Sequence, residues 1–310
     1  MKATYGGPGF EARAGSHAED LGSTWPKCGA RSSVAPLKRV MLTLPPESLR
    51  SVEDAEAWHM ERVPDFDAVS AAHARLKAAY EQLGVEVHDL VGEHAPPNLL
   101  FAADLFFMTA EGAVLGRMAS PVRAGEEKWA AAALARHFTP VLAMVRGEGT
   151  FEGADALWLG GRALIGEGLR TNASGASQVE AVLLEQGVEV LRVEMPAVGA
   201  QHLLGVCTPV DEDLVLLRPA RCSESLREAL VGVECLELDE DDPEVCLARG
   251  NNLVAVAPRE VLMPTGAPRL RDRLEAKGVK THEVHVEAYL AAAGAIGCAT
   301  GVLLRESGSG

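Results

Sequence analysis

The sequence predicts a mixed α/β fold, a fivefold pseudo-symmetric α/β-propeller, and three observations carry that expectation. One pattern recurs: two short apolar strands joined by a tight turn, then a polar link, a helix, a stop and another strand. The helix stop recurs as a phrase, QLGVEV from Gln82, EQGVEV from Glu185 and AKGVKT from Ala276, in units of roughly 50 residues. The last strand, ATGVLLRE from Ala299 to Glu306, has no helix of its own. It can pair with the first, LKRVMLTLP from Leu37 to Pro45, so that the two chain ends share one blade and close a ring.

Taken in order, residues 1–36 read as an N-terminal arm or lid, rich in Gly, Pro and Ser, with Trp25 and Cys28 as its anchors. Residues 37–310 read as a single α/β-propeller domain. After the first strand, Asp65 to Leu83 carries Val69, Ala72, Leu76, Ala79, Tyr80 and Leu83 at helical spacing, and Gly84 ends that helix before VEVHDL. The next unit has LLFAADLFFMT, the turn AEG, AVLGRM, a helix from about Glu126 to His137, and VLAMV. DALWL, GGR and ALIGE follow, with a helix Ser177 to Glu185 and VEVLRV. The fourth unit has LGVCTPV, DED and LVLLRP, a helix near Ser223 to Leu230, and VECLEL. The fifth has NNLVAVAP, RE and VLMP, a helix Pro268 to Ala276, and VKTHEV.

Composition bounds the function. Of 310 residues, 47% are hydrophobic and 24% charged, as in an ordinary globular chain with a substantial core. Lys plus Arg at 29 against Asp plus Glu at 44 gives 29 − 44 = −15, a balance that repels nucleic acid and anionic membrane and favours a small cationic ligand. The six cysteines contain no C-x-x-C pair and the nine histidines no H-x-x-x-H, so no metal or other cofactor is expected. Scattered thiols in a chain of this size suit a reducing, cytoplasmic setting. The first residues lack the apolar core of a signal peptide, and no membrane span is visible. The oligomeric state stays open, with a homodimer compatible.

Equivalent blades should present functional side chains at equivalent places. Asp104, Glu152, His202, Asn251 and Cys298 follow one another at 48, 50, 49 and 47 residues, each near the first strand of its blade. Each alone has an ordinary account: turn formers for Asp104, Glu152 and Asn251, a link residue for His202, a small buried hydrophobe for Cys298. At the repeat period they form a set of two carboxylates, an imidazole, an amide and a thiol around one axis.

At these residues the chain resembles the guanidino-group-modifying, or pentein, superfamily of arginine deiminases, dimethylarginine dimethylaminohydrolases and amidinotransferases, which are fivefold α/β-propellers. PNLLFAAD (Pro97 to Asp104) is similar to the family's P-N-x-x-F-x-R-D, and FEGADAL (Phe151 to Leu157) to E-G-G-D. GLRTNASG (Gly168 to Gly175) is similar to R-T-N-x-x-G, QHLLGVCTPV to the H-L segment, and AGAIGCATGVLL to the terminal G-G-G-x-x-C. Three departures stand out. Ala103 replaces an arginine, Leu204 occupies the aspartate place of H-x-D, and Asn98 stands where the dimethylaminohydrolases carry an extra aspartate.

The resemblance implies cysteine-dependent hydrolysis at a guanidinium carbon through a covalent amidino-cysteine. It makes Cys298 the nucleophile, as a thiolate, and His202 the acid and base. Asp104 and Glu152 would hold the planar cation, and Asp155 would support the Glu152 turn. Asn98 and Asn251 would line the substrate, and Arg117, Arg123 and Arg170 would be candidates for its carboxylate. The alternatives are an amidinotransferase, in which an amine takes the group from Cys298, and a non-catalytic propeller that binds a guanidino ligand or a partner protein.

Overall fold

A computed structural model describes residues 1–306. Its strands are β1 (Leu37–Thr43), β2 (Glu86–Leu90), β3 (Phe106–Met108), β4 (Ala113–Leu115), β5 (Val141–Met144), β6 (Ala156–Leu159), β7 (Arg162–Glu167) and β8 (Val190–Glu194). β9 (Cys207–Asp211), β10 (Leu214–Leu217), β11 (Glu234–Glu237), β12 (Val254–Ala257), β13 (Glu260–Pro264), β14 (Lys280–Val284) and β15 (Gly301–Arg305) follow. They form five three-stranded sheets: β3-β4-β5, β6-β7-β8, β9-β10-β11, β12-β13-β14 and β15-β1-β2. In each, an antiparallel inner pair is followed by a parallel outer strand, which requires a crossover element. The blade shared by the chain ends is present, with Val40 opposite Val302 and Met41 opposite Gly301.

The crossover helices span Phe66–Gln82, Glu127–Arg136, Ala173–Glu185, Glu224–Ala229 and Pro268–Ala276. Most match the sequence expectation within a residue or two. The exception, Ala173–Glu185, begins a turn earlier than Ser177, because the Asn172 side chain accepts from the Gly175 amide and caps it there. Gly84 and Gly187, in the two GVEV phrases, adopt φ of 75° and 68°, the left-handed conformation that ends a helix without a Cβ penalty. Phe66–Gln82 buries Val69, Ala72, Leu76 and Tyr80. The Tyr80 hydroxyl lies 2.8 Å from Thr300 Oγ1, which joins that helix to the entry of β15.

Each inner strand is entered through one short turn of helix or bend. These are Ala102–Asp104 before β3, Gly153–Asp155 before β6, Leu203–Gly205 before β9, the Asn251–Asn252 bend before β12 and Ile296–Ala299 before β15. The five turns ring the channel at one end. At the other end of the inner strands lies the arm. The Gly29 amide donates to Leu303 O, the Ala30 amide to Thr109 O, and Ser33 Oγ accepts from the Trp158 amide. No described helix is long and apolar enough to cross a membrane.

Candidate active site

The ring of turns brings Asp104, Glu152, His202 and Cys298 together. Asp104, Glu152 and His202 are buried, while Cys298 keeps partial exposure. His202 Nε2 lies 2.7 Å from Glu152 Oε2, and its Nδ1 faces Asp104 Oδ1 at 3.7 Å. Glu152 also accepts the Ala119 amide at 3.1 Å. Burial alone would push the Glu152 carboxyl up, but the His202 hydrogen bond and the charge of Arg123 outweigh it and hold the group at about 2. Burial would likewise depress His202, yet Asp104, Glu152 and Asp155 raise it to about 9. The pair is therefore imidazolium and carboxylate at neutral pH.

The expected thiolate depends on a neighbouring cation, and the ligand-free site shows what that cation must overcome. Desolvation, with the Asp104 charge adding to it, pushes Cys298 above the ordinary thiol value. The Asn252 amide opposes that shift: its Nδ2 donates to Sγ at 3.1 Å while its Oδ1 accepts the Cys298 amide at 3.2 Å. Without a ligand the sulfur is thus a protonated thiol, and an added positive charge beside it would reverse the balance.

Asn252 was not among the residues singled out by periodicity; its neighbour Asn251 was. Asn251 Nδ2 instead donates to Gly205 O at 3.2 Å, tying two blades together beside the cavity. The repeat could not separate the two asparagines because the offset from functional residue to inner strand is not constant. Asp104 and Asn252 precede their strands by two residues and His202 by five.

The three candidate arginines part company. Arg117 donates to Gly149 O at 3.0 Å and lines neither cavity that holds Cys298. Arg123 is buried in a cage, 2.7 Å from Asp104 Oδ2, 2.8 Å from Glu126 Oε2 and 3.5 Å from Glu152 Oε2. Burial raises Glu126 to about 7 despite that arginine. Arg170 Nη1 reaches Glu152 Oε1 at 3.5 Å, while its Nε is buried with no hydrogen-bond partner. Asp155 stands behind the site, accepting Thr171 Oγ1 at 2.7 Å and the Leu203 amide at 3.0 Å, and burial lifts it to about 6. Asn98 is buried and donates to Trp58 O at 2.8 Å.

Asp104, Glu152 and His202 offer one oxygen or nitrogen each within 4.8 Å of the others. Arg123 touches both carboxylates of that set, so their charge is already met by a guanidinium. One oxygen remains unanswered: Asp104 Oδ1 is buried without a hydrogen-bond partner. Cys298 lies between two cavities. One is narrow, with Asn98, Phe101, Asp104, Arg123 and Arg170 in its walls and Trp58 and His59 beside it. The other, about 480 Å³, is lined by His202, Asn252, Arg218, Arg221, Glu240 and Arg249 among others.

A family model described as arginine deiminase matches residues 72–235, more than half of the chain. The chain belongs to the arginine deiminase family. Among relatives of this family member, the N(G),N(G)-dimethylarginine dimethylaminohydrolase of Pseudomonas aeruginosa is 25% identical over 263 residues, covering 84% of this chain and 97% of that protein. The Pseudomonas enzyme's structure in complex with citrulline superposes with a TM-score of 0.73 at 21% identity, over 87% of this chain and 100% of that one. SxtG, an amidinotransferase from Microseira wollei, has the same fold at a TM-score of 0.73 and 16% identity, over 90% and 98% of the two chains. The protein is thus a guanidino-modifying enzyme of the pentein fold.

Proposed function

We propose that the protein hydrolyses the guanidinium group of arginine or an N-substituted arginine, with Cys298 as nucleophile and His202 as proton carrier. The observation that carries this reading is the meeting of a neutral thiol, an imidazolium and a buried carboxylate oxygen without a partner around one cavity. A planar cation that donates to Asp104 Oδ1 neutralises the charge that opposes thiol ionisation and adds a positive charge of its own. Cys298 then releases its proton to solvent and attacks the guanidinium carbon. His202, held as imidazolium by Glu152, protonates the departing nitrogen as the C–N bond breaks, leaving a covalent amidino-cysteine. Neutral His202 next takes a proton from water; the hydroxide adds to the carbon, the C–S bond breaks, and a ureido product leaves.

Arg170, with a buried Nε that lacks a partner, suits a substrate carboxylate, whereas Arg123 fixes Asp104 from behind. We assign the covering of the site to the segment 54–64 and not to the arm. Trp58 and His59 line the narrow cavity, and Glu61 pairs with Arg249 at 2.9 Å. The wide cavity on the His202 side also gives room for an acceptor amine, which keeps amidino transfer as the second reading.

Incubating the enzyme with arginine, its N-methylated forms and decarboxylated guanidines should give a ureido product and free amine or ammonia from the amino-acid guanidines. An amine acceptor that becomes amidinated instead would establish the transferase, and no product with no mass on Cys298 would defeat both. Asn252→Ala removes the side-chain donor to Sγ, so kcat/KM at neutral pH should fall roughly tenfold. The rate of iodoacetamide alkylation should shift to higher pH; an unchanged alkylation profile would deny Asn252 that part.

A further inference from the structure

The channel holds a third cavity, of about 110 Å³, whose lining includes residues of the arm. Phe106, Trp158, Leu253 and Val302 give it apolar walls, and arm residues Ala30 and Ser33 also line it. Arg305 also lines it, at 5% exposure. Its Nη1 donates to Ala35 O at 2.6 Å and its Nη2 to Ala255 O at 2.8 Å. A guanidinium has five N–H donors, and the only described acceptors here are these two neutral carbonyls. Among the described residues no carboxylate pairs with it; Glu212, whose charge reaches it, is engaged with Ser32 and the Gly160 amide. Desolvation accordingly draws the guanidinium down to about 10. Nearby, Ser33 Oγ accepts the Trp158 amide, which leaves the hydroxyl hydrogen free to donate.

A buried cation that lacks an anion is costly, and a matching anion removes that cost. We infer that this cavity binds a small organic monocarboxylate, its carboxylate on Arg305 and Ser33 and its compact apolar body against Phe106 and Trp158. The size narrows the class: an apolar cavity of roughly 150 Å³ accepts benzene, and this one, at about 110 Å³, is smaller, so short aliphatic acids are the class that fits. Its polar groups are distinct from those of the guanidino site, since neither Arg305 nor Ser33 lines a cavity that holds Cys298, although Ala154 and Leu204 border both this cavity and the wider of those two.

Calorimetric titration of the full chain with propionate and butyrate should show saturable binding at one site, and the neutral isosteres propanol and butanol should bind at least roughly tenfold more weakly, because a charge-assisted hydrogen bond is lost. Arg305→Met should abolish binding. Should that variant fail to fold, Val254→Phe fills the cavity from a partly exposed wall position and should abolish it as well. Binding that survives either folded variant overturns the assignment, as does a lack of saturable binding to the native chain. Binding lost in Arg170→Gln but kept in Arg305→Met would move the acid to the catalytic cavity and equally overturn it.

Discussion

Cys298→Ser will leave the secondary structure and thermal unfolding of the protein unchanged and lower turnover of its guanidino substrate by at least about a thousandfold, as removal of a covalent nucleophile does elsewhere. The fold should tolerate the change. The sulfur accepts from the Asn252 side-chain amide, and Cys298 keeps partial exposure, so an oxygen in its place forms the same hydrogen bond without a new cavity. The chemistry should not tolerate it, since a hydroxyl is far harder to ionise than the thiol, and the burial and Asp104 charge that already raise the thiol act on the hydroxyl too. The check is steady-state product release together with intact-mass measurement: the native enzyme should carry a transient amidino adduct on the peptide holding Cys298, and the variant none. Turnover that persisted near the native rate would end the proposal that Cys298 is the nucleophile.

The second large effect belongs to Glu152. Glu152→Gln keeps an acceptor for His202 Nε2 but removes the charge 2.7 Å from it. His202 then loses one of the carboxylates that lift it to about 9 against the opposing pull of burial. Its value should drop by about one unit or more, and kcat should fall roughly 10²- to 10⁴-fold because the general acid loses the carboxylate that holds its proton and fixes its ring. The sign for activity is definite. The native rate should decline as pH rises through about 9, where His202 loses its proton, and in the variant that limb should move to lower pH.

Stability runs in parallel. His202 is raised from 6.5, so its contribution is full below that value and lost as pH climbs through about 9. Glu152 is lowered from 4.5 to about 2, so its contribution is present above 4.5 and lost as pH falls through about 2. An alkaline limb that stayed in place in Glu152→Gln would show that another group supplies the proton.

Much of the architecture was legible in the chain because a repeat prints its period on the sequence. The strand, turn, strand, helix and glycine stop recur, and each blade can bury its apolar faces only against its neighbours. The pairing of Leu37–Thr43 with Gly301–Arg305 followed from a terminal strand that had no helix of its own. Asp104, Glu152, His202 and Cys298 were equally readable, since equivalent entry turns recur near the same period.

Position within the turn was not readable. Asn251 and Asn252 differ by one place, and only the path of the bend decides that Asn252 meets the sulfur while Asn251 bridges to Gly205. Nor could spacing sort the arginines. Arg123 is drawn inward because Glu126, three residues on, is buried beside it, and Arg117 turns away to Gly149. The protonation of the thiol lay further still from the sequence, because desolvation and the Asp104 charge depend on how deep the ring of turns sits.

By itself, then, the sequence determined the fivefold ring and the set of side chains that converge on its axis, because local hydrophobic period and turn chemistry are written residue by residue. Tertiary structure alone decided which asparagine touches the sulfur, which arginine keeps a free donor and which proton each group holds. Those depend on distances and burial between segments that lie far apart in the chain.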